Sequence, residues 1–325
     1  MVNTYSQLRA RFRGALLGVA VGDAVGAPFE GSARRGRAPT IPVAGGAPLR
    51  YTDDTHMTLG VAESLVACDG FDGAHMAAVL ARNYASEPWR GYAAGPPAVF
   101  RLIERGVRWD QAAWRLYDGQ GSYGNGAAMR VAPVALLGYH DLAQVARLAQ
   151  QTALITHAHD FGVAGAVLQA TTVALLLRQP TAVPLDPAEF LRALRGQVRA
   201  LLYLRKLADV EALLGEGPVD EVVARLGTGV AAHESVPTAL YAFLRHRDSF
   251  ADAVAYAVSL GGDTDTIGAM TGALAGAYLG EGAIPAAARE RVEGGERLRQ
   301  LADALLALAT RMLGGGTDQL HRTGS

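Results

Sequence analysis

Apolar residues recur along most of the chain at intervals of three and four, the spacing that places them on one face of an α-helix. Runs of alternating β-branched residues, which are typical of half-buried strands, are few. Ala, Leu, Arg and Glu, all good helix formers, fill the same segments. The pattern therefore predicts an all-α protein.

Three stretches lack the helical spacing: residues 31–51, 88–97 and 118–126. The first is long for a connector and rich in Gly, Pro and Arg, so it is a candidate functional loop. The helices are predicted over residues 8–25, 55–68, 72–86, 97–105, 127–137, 142–152, 162–177, 187–202, 207–214, 219–226, 236–246, 249–260, 265–279 and 284–313.

No segment of linker composition and no fixed-period repeat divides the chain. We therefore expect one helical domain over residues 1–313. The Gly-rich end, residues 314–325, is expected to be a flexible tail. With 325 residues and 50% apolar composition, the chain is long enough to bury a large core.

The charges nearly cancel, with 30 Lys and Arg against 31 Asp and Glu, so neither nucleic acid nor a membrane is expected as a partner. The single cysteine, Cys68, excludes an internal disulfide framework and fits a cytoplasmic protein. Residues 9–21 imitate the basic and apolar parts of a signal peptide, but Asp23 and the nearby glycines argue against export. A soluble monomer is expected.

Two acidic clusters, each at the start of an apolar helix, are the main candidates for chemistry. They are Thr52-Asp53-Asp54-Thr55 and Asp263-Thr264-Asp265-Thr266, and two glycines precede the second. Hard divalent cations prefer several carboxylate and hydroxyl oxygens that converge on one point. Helix capping explains either cluster taken singly, although capping does not need two aspartates. If the two helix starts face each other, they would form an oxygen cage.

Three further features have both a functional and a structural interpretation. The glycine-rich loop at residues 121–126 exposes successive amides ahead of a predicted helix, which suits phosphate, although a plain turn is the alternative. Glu30 opens the long loop and could swing onto a substrate, or it could simply be solvated. His157 and His159 precede another helix, where capping or packing is favoured over zinc binding.

Taken together, these segments resemble the ADP-ribosylglycohydrolase family, whose founding type is the dinitrogenase-reductase-activating glycohydrolase. A paired TDDT and GGDTDT is much more specific than either motif alone. The GSYGNG and SVPTA segments resemble the branch that removes ADP-ribose from serine more than the arginine-specific branch. The sequence departs from that branch at Ala93, Gln120 and Gly268. The matching segments, in family order, are residues 12–18, 22–24, 52–55, 90–95, 121–130, 156–157, 235–239 and 261–266.

The resemblance implies a compact orthogonal helical bundle with two divalent metal ions, magnesium or manganese. Glu30 would be the mobile catalytic glutamate on a flap, with Asp53 and Asp54 also counted as catalytic residues. The implied metal ligands are Thr52, Asp53, Asp54, Asp263, Asp265 and Thr266. The implied substrate contacts are Gln120, Gly121, Ser122, Tyr123, Gly124, Asn125 and Gly126, with His157 on the adenosine side.

The implied activity is hydrolysis of O-linked, in particular serine-linked, ADP-ribose on proteins. Poly(ADP-ribose) and O-acetyl-ADP-ribose would be further substrates. Bond cleavage would pass through an oxocarbenium-like state, with the metals arranging ribose and water and Glu30 acting as general acid or base. The alternatives are an arginine-specific ADP-ribosyl hydrolase, a non-catalytic ADP-ribose-binding protein on the same scaffold, and a two-metal phosphohydrolase that cuts the diphosphate.

Overall fold

The structure of the protein, a computed structural model, describes residues 3–34, 41, 47–181, 183–215 and 217–320, with the backbone alone for residues 314–320. Within these ranges the chain forms α-helices, short 3₁₀ helices and isolated bridges, and no strand. The predicted all-α fold is confirmed. The α-helices are α1 (Tyr5–Gly26), α2 (Asp53–Ala67), α3 (Gly73–Ser86), α4 (Gly95–Glu104), α5 (Trp109–Ala112), α6 (Gly126–Met129), α7 (Ala132–Gly138), α8 (Leu142–Ala153), α9 (Asp160–Arg178), α10 (Pro187–Arg195), α11 (Leu201–Leu213), α12 (Val219–Leu226), α13 (Ala232–Arg245), α14 (Phe250–Ser259), α15 (Thr264–Leu279), α16 (Ala286–Arg291) and α17 (Gly295–Leu320). The 3₁₀ helices are Ala27–Phe29, Ala113–Arg115, Tyr117–Gly119 and Glu281–Ala283.

Two helices that the pattern predicted as continuous are broken in the structure. Residues 127–137 form α6 and α7, because Pro133 lies in the first turn of α7 and has no amide that could continue the hydrogen bonding of α6. Residues 284–313 form α16 and α17. Between these two, Gly294 adopts a φ of 68°, which interrupts the right-handed helix.

Two other predicted boundaries were wrong. Residues 187–202 do not form one helix, since α10 ends at Arg195 and is followed by Gly196, and α11 begins at Leu201. The last helix continues to Leu320, past its predicted end at residue 313. The final residues, 321–325, lie outside the described part of the chain.

Helices α1 and α15 pack with their backbones in direct contact, and glycines make this possible. A Cβ atom added at Gly18 would lie 2.1 Å from the carbonyl oxygen of Gly272, and one added at Gly272 would lie 2.0 Å from that of Gly18. Residues four apart share one face of a helix, so the glycines form a continuous stripe on each. The facing pairs run antiparallel and are Gly14 with Gly276, Gly18 with Gly272 and Gly22 with Gly268.

This contact brings the end of α1 beside the start of α15. The Thr264 hydroxyl donates a hydrogen bond to the carbonyl oxygen of Gly26 at 2.9 Å. At Gly268, where the chain departs from the family branch, a Cβ atom would lie 2.5 Å from the carbonyl oxygen of Gly22. Glycine at position 268 therefore fits the close approach of the two helices in this chain.

The other helices surround this central pair. Helices α9, α13 and α14 pack against α15, and α2 and α17 pack against α1 and each other.

Two helical segments, Tyr5–Phe29 and Asp160–Arg178, are long and apolar enough to cross a membrane by length and composition, but their most apolar windows are 78% and 72% buried inside the fold. Burial on this scale is typical of the core helices of a folded protein.

Replacing Gly272 by alanine should destabilise the fold, because the new methyl group would overlap the backbone of α1. We expect the free energy of unfolding to fall by about 2–3 kcal/mol, which is typical of overpacking in a close-packed core. Denaturant unfolding of the purified variant measures this change.

Gly282→Ala is the matched control, because a Cβ atom there would meet nothing within 4 Å. That variant should change the free energy of unfolding by less than about 0.5 kcal/mol. An equally small effect of Gly272→Ala would contradict the direct backbone contact between α1 and α15.

Candidate metal centre and substrate cavity

Asp23 on α1 holds the first acidic cluster in place. Its carboxylate is fully buried and accepts hydrogen bonds from the amide of Thr52 at 2.9 and 3.0 Å and from the amide of Thr55 at 3.1 Å. The hydroxyls of Thr52 and Thr55 donate to the same carboxylate at 2.8 and 2.6 Å. These bonds satisfy free amides at the start of α2 and fix the direction in which Asp53 and Asp54 leave the backbone.

The second acidic cluster begins at a sharp turn that only glycine adopts easily. Gly261 and Gly262 have φ values of 78° and 76°, and a Cβ atom at Gly262 would lie 2.1 Å from the carbonyl oxygen of Thr228. The Asp263 amide donates to that same oxygen at 2.8 Å. The turn thus brings Asp263 to the start of α15.

The structure brings the two clusters together. The hydroxyl oxygens of Thr266 and Thr52 lie 3.5 and 3.2 Å from Oδ2 of Asp54. Asp53, Asp54, Asp263, Asp265 and Thr266 line one cavity of about 190 Å³. The proposition that the two helix starts face each other, on which the sequence interpretation depended, agrees with this geometry.

Glu30 reaches the same cavity from the end of the 3₁₀ helix Ala27–Phe29. The next residue, Gly31, has a φ of 69° and donates its amide to the carbonyl oxygen of Gly262 at 2.8 Å. Oxygens from the carboxylates of Glu30, Asp263 and Asp265 lie within 4.8 Å of one another. Most of the predicted flap, residues 35–40 and 42–46, lies outside the described residues.

Burial and mutual repulsion disfavour the charged forms of these carboxylates. Burial, with the charges of neighbouring aspartates added, raises the pKa of Asp53 and of Asp54 well above the usual range. Burial and then the charge of Asp263 raise the pKa of Asp265 to about 7. The charge of Asp265, more than burial, raises the pKa of Glu30. A cation among these groups would relieve the repulsion.

The residues present fit such a cation. Oδ1 of Asp54 is buried and has no hydrogen-bond partner in the described part of the chain. A buried carboxylate oxygen without a donor is costly, and a metal ion is one of the partners that removes the cost. The donor set is all oxygen, from aspartate carboxylates and threonine hydroxyls, which suits hard divalent ions.

The glycine-rich loop lies beside the acidic clusters. The Asn125 side-chain amide donates to Oδ2 of Asp263 at 2.5 Å and to the Ser235 hydroxyl at 3.0 Å, so the loop and the second cluster are tied together. Ser122, Gly124, Asn125 and Gly126 line the central cavity, whereas Gln120, Gly121 and Tyr123 line an adjoining cavity of about 210 Å³.

The sequence analysis expected both the loop amides and the following helix to favour a phosphate, and the structure differs in the helix. Helix α6, which follows the loop, has only four residues, so its dipole is weak. The amides of Ser122 and Tyr123 donate to no oxygen within the described residues. Free amides of the loop, more than the helix behind it, are therefore available to an anion.

His157 also lines the central cavity and is buried. Burial, and secondly the charge of Arg130, lower the pKa of His157 to about 3, so the ring is neutral at physiological pH. Its Nδ1 lies 2.7 Å from the Thr156 hydroxyl. A Cβ atom at Gly126 would lie 2.8 Å from the imidazole, so glycine at position 126 lets the loop pack on the ring.

Sequence reasoning missed two residues that shape the site. One is Asp23, and the other is Arg130, a fully buried guanidinium on which the charge of Asp53 acts. Burial lowers the pKa of Arg130 to about 10, and the residue stays a cation at neutral pH. Both are charged residues inside apolar segments, and that pattern is a usable signal, since a buried charge needs partners.

The sequence and the fold of the chain are similar to those of known proteins over nearly the whole length. Residues 4–313 match the family model described as ADP-ribosylglycohydrolase. ADP-ribosylhydrolase ARH3 of Mus musculus is 37% identical over 337 residues, which covers 91% of each chain. ARH3 of Homo sapiens is 36% identical over 342 residues, covering 91% of this chain and 93% of the human protein. A solved structure described as "ADP-ribosylglycohydrolase-related protein complex" superposes with a TM-score of 0.75 at 31% identity, covering 94% of this chain and 99% of that one.

The matched region contains both acidic clusters, Glu30 and the glycine-rich loop, which the fold gathers around one cavity. The family and these relatives are ADP-ribosyl hydrolases, which are glycosidases. The chain belongs to the ADP-ribosylglycohydrolase family.

Proposed function

We propose that the protein hydrolyses O-linked ADP-ribose, with serine-linked ADP-ribose on proteins as its preferred substrate, at two divalent metal ions. The observation that carries the proposal is the convergence of aspartates from two remote helix starts, together with Glu30, on one cavity beside the glycine-rich loop. The preference for serine rests on the resemblance of the GSYGNG and SVPTA segments to the serine-directed branch.

The metal ions would be held by oxygen ligands from both clusters. The partnerless Asp54 oxygen and the raised pKa values of the aspartates support this assignment. Magnesium and manganese both suit such a set. When bound, the ions supply Lewis-acid polarisation and an ordered place for ribose and water. The proposed ligands are Thr52, Asp53, Asp54, Asp263, Asp265 and Thr266.

The reaction adds water across the glycosidic bond. The water oxygen bonds to the anomeric carbon, the bond from that carbon to the serine oxygen breaks, and the serine oxygen takes up a proton. Glu30 is placed to transfer protons, since its carboxylate lines the cavity and lies close to those of Asp263 and Asp265.

The nucleotide part of the substrate would lie on the side of the glycine-rich loop. The free amides of Ser122 and Tyr123 would receive the diphosphate. Tyr117 and Tyr123 line the adjoining cavity and are 60% and 52% exposed, so their rings offer faces on which adenine can stack. Neutral His157 would contact the adenosine side.

Incubation with a panel of ADP-ribosyl linkages tests the proposed function. We expect free ADP-ribose from a serine-linked peptide when magnesium or manganese is present, and little after chelation. Faster release from an arginine-linked peptide would favour the arginine-specific alternative, and AMP as the product would favour diphosphate cleavage. Tight binding of ADP-ribose without turnover under either metal would indicate a non-catalytic binding protein.

Asp54→Ala should weaken metal binding, because it removes a buried carboxylate with an oxygen free for a ligand bond. We expect the affinity for magnesium or manganese to fall about 100-fold, as measured by calorimetric titration. Asp248→Ala is the control, since that exposed aspartate makes no hydrogen bond or ion pair within the described residues. Equal metal affinity of both variants would remove Asp54 from the ligand set.

Glu30→Gln should separate binding from chemistry, because the amide keeps the shape of the side chain and cannot exchange a proton. We expect near-normal affinity for ADP-ribose and a kcat about 100-fold lower on serine-linked peptide, the usual size of an acid–base contribution. Calorimetry and product release measure the two quantities. Undiminished turnover would exclude Glu30 from proton transfer.

A further inference from the structure

Two further cavities adjoin the central cavity. The central cavity, lined by the acidic clusters, shares Tyr117, Ser122, Gly124 and Val230 with the adjoining cavity on the nucleotide side. It also shares Gly91 with a larger groove of about 670 Å³, whose wall includes Thr52. Apart from Thr52, a proposed metal ligand, none of the residues that line this groove has a role in the proposed function.

Gly91 lines both the groove and the central cavity and lies where the two meet. Its φ is 90°, and a Cβ atom there would lie 3.7 Å from Oδ1 of Asp53 and 3.8 Å from Cβ of Thr52. A side chain at position 91 would therefore point at the metal ligands and narrow the passage. Glycine at this position leaves the groove continuous with the place where the glycosidic bond would be cut.

The wall of the groove is built from a fixed set of charges. The guanidinium of Arg90 donates to both oxygens of Glu293 at 2.8 Å, to the carbonyl oxygen of Tyr51 at 3.0 Å and to Glu87 at 3.1 Å. It also lies over the Tyr51 ring, 4.2 Å from the centroid. The side chain of Arg90 is only 9% exposed, whereas those of Glu87 and Glu293 are 32% and 35% exposed. The groove thus presents carboxylate oxygens more than the guanidinium that they bind.

Trp89 lines the groove and is largely exposed to solvent. It is 72% exposed, and its indole makes no hydrogen bond or ring contact within the described residues. Exposing the large apolar surface of an indole to water is unfavourable, so an exposed tryptophan often marks an interaction site. Tryptophan is also strongly enriched among the residues that contribute most of the binding energy at protein interfaces.

We propose that this groove binds the polypeptide that carries the ADP-ribosyl group, with Trp89 packing on the residues beside the modified side chain. The inference rests on the proposed function, in which the nucleotide lies on the loop side and the bond is cut in the central cavity. The polypeptide must then enter and leave beside the central cavity, and the groove adjoins that cavity at Gly91, next to Thr52 and Asp53.

The charges favour a polypeptide over a second nucleotide unit. The wall carries two glutamates, Glu87 and Glu293, against two arginines, Arg50 and Arg90, so its formal charges balance. A poly(ADP-ribose) chain, with two phosphates per unit, would find no excess of positive charge there to hold it. A peptide needs no such excess.

Two substrates with the same scissile bond test the proposal: a serine-ADP-ribosylated peptide, and a single ADP-ribosylated serine blocked at both ends. For Trp89→Ala we expect the ratio of kcat/KM on the peptide to kcat/KM on the single residue to fall about tenfold, the usual loss for an interface tryptophan. Trp89→Phe should restore most of the ratio. Tyr5→Ala, which removes an aromatic ring that is 58% exposed on α1, should leave the ratio unchanged.

An unchanged ratio in Trp89→Ala overturns the proposal. A selective loss on ADP-ribose oligomers in place of the peptide also overturns it, since the groove would then hold nucleotide. Failure of the proposed function gives a different result, namely no turnover of either serine substrate by the wild type. In that event, calorimetry on the Glu30→Gln variant compares the affinity for the ADP-ribosylated peptide with the affinity for ADP-ribose. Tighter binding of the peptide that disappears when Trp89→Ala is added supports the proposal. Equal affinity for the two ligands overturns it.

Discussion

The direct backbone contact between α1 and α15 is the constraint on which the site depends. Without side chains between Gly18 and Gly272 or between Gly22 and Gly268, the two helices approach until their backbones touch. That approach sets Asp23, near the end of α1, against the start of α15, where Asp263 and Asp265 stand. A wider spacing would separate the clusters and leave no common cavity. The packing of these two helices in the core thus determines the distance between the two acidic clusters that would bind the metal ions.

The same packing creates an electrostatic cost. Several carboxylates are buried close together, and burial raises the pKa of each one that lines the cavity. A stable fold does not normally collect buried like charges, so their presence indicates a function that needs them. Arg130 supplies one buried positive charge near Asp53 but forms no ion pair with it. The remaining imbalance is what a divalent cation would correct.

Much of the fold and the cluster positions could be predicted from the sequence, because helical spacing and the paired acidic motifs are local signals. The breaks at Pro133 and Gly294 could have been anticipated from the same signals. Other features depend on contacts between remote positions. Asn125 bonds to Asp263, 138 residues away, and Asp23 to Thr52, 29 residues away. The spacing of residues in a single sequence does not indicate which remote positions come into contact. For the same reason, the glycines of α1 indicated only an apolar helix and not its contact with α15.

Asp23 has a further consequence for how the protein would acquire its ions. Both of its oxygens are engaged by the amides and hydroxyls of Thr52 and Thr55, so it acts as a structural clamp and is unsuited to be a ligand. Because the protein itself makes every one of those bonds, they would hold the start of α2 in the same place whichever divalent ion is bound. Exchange of one ion for another would then require no unfolding of this helix start.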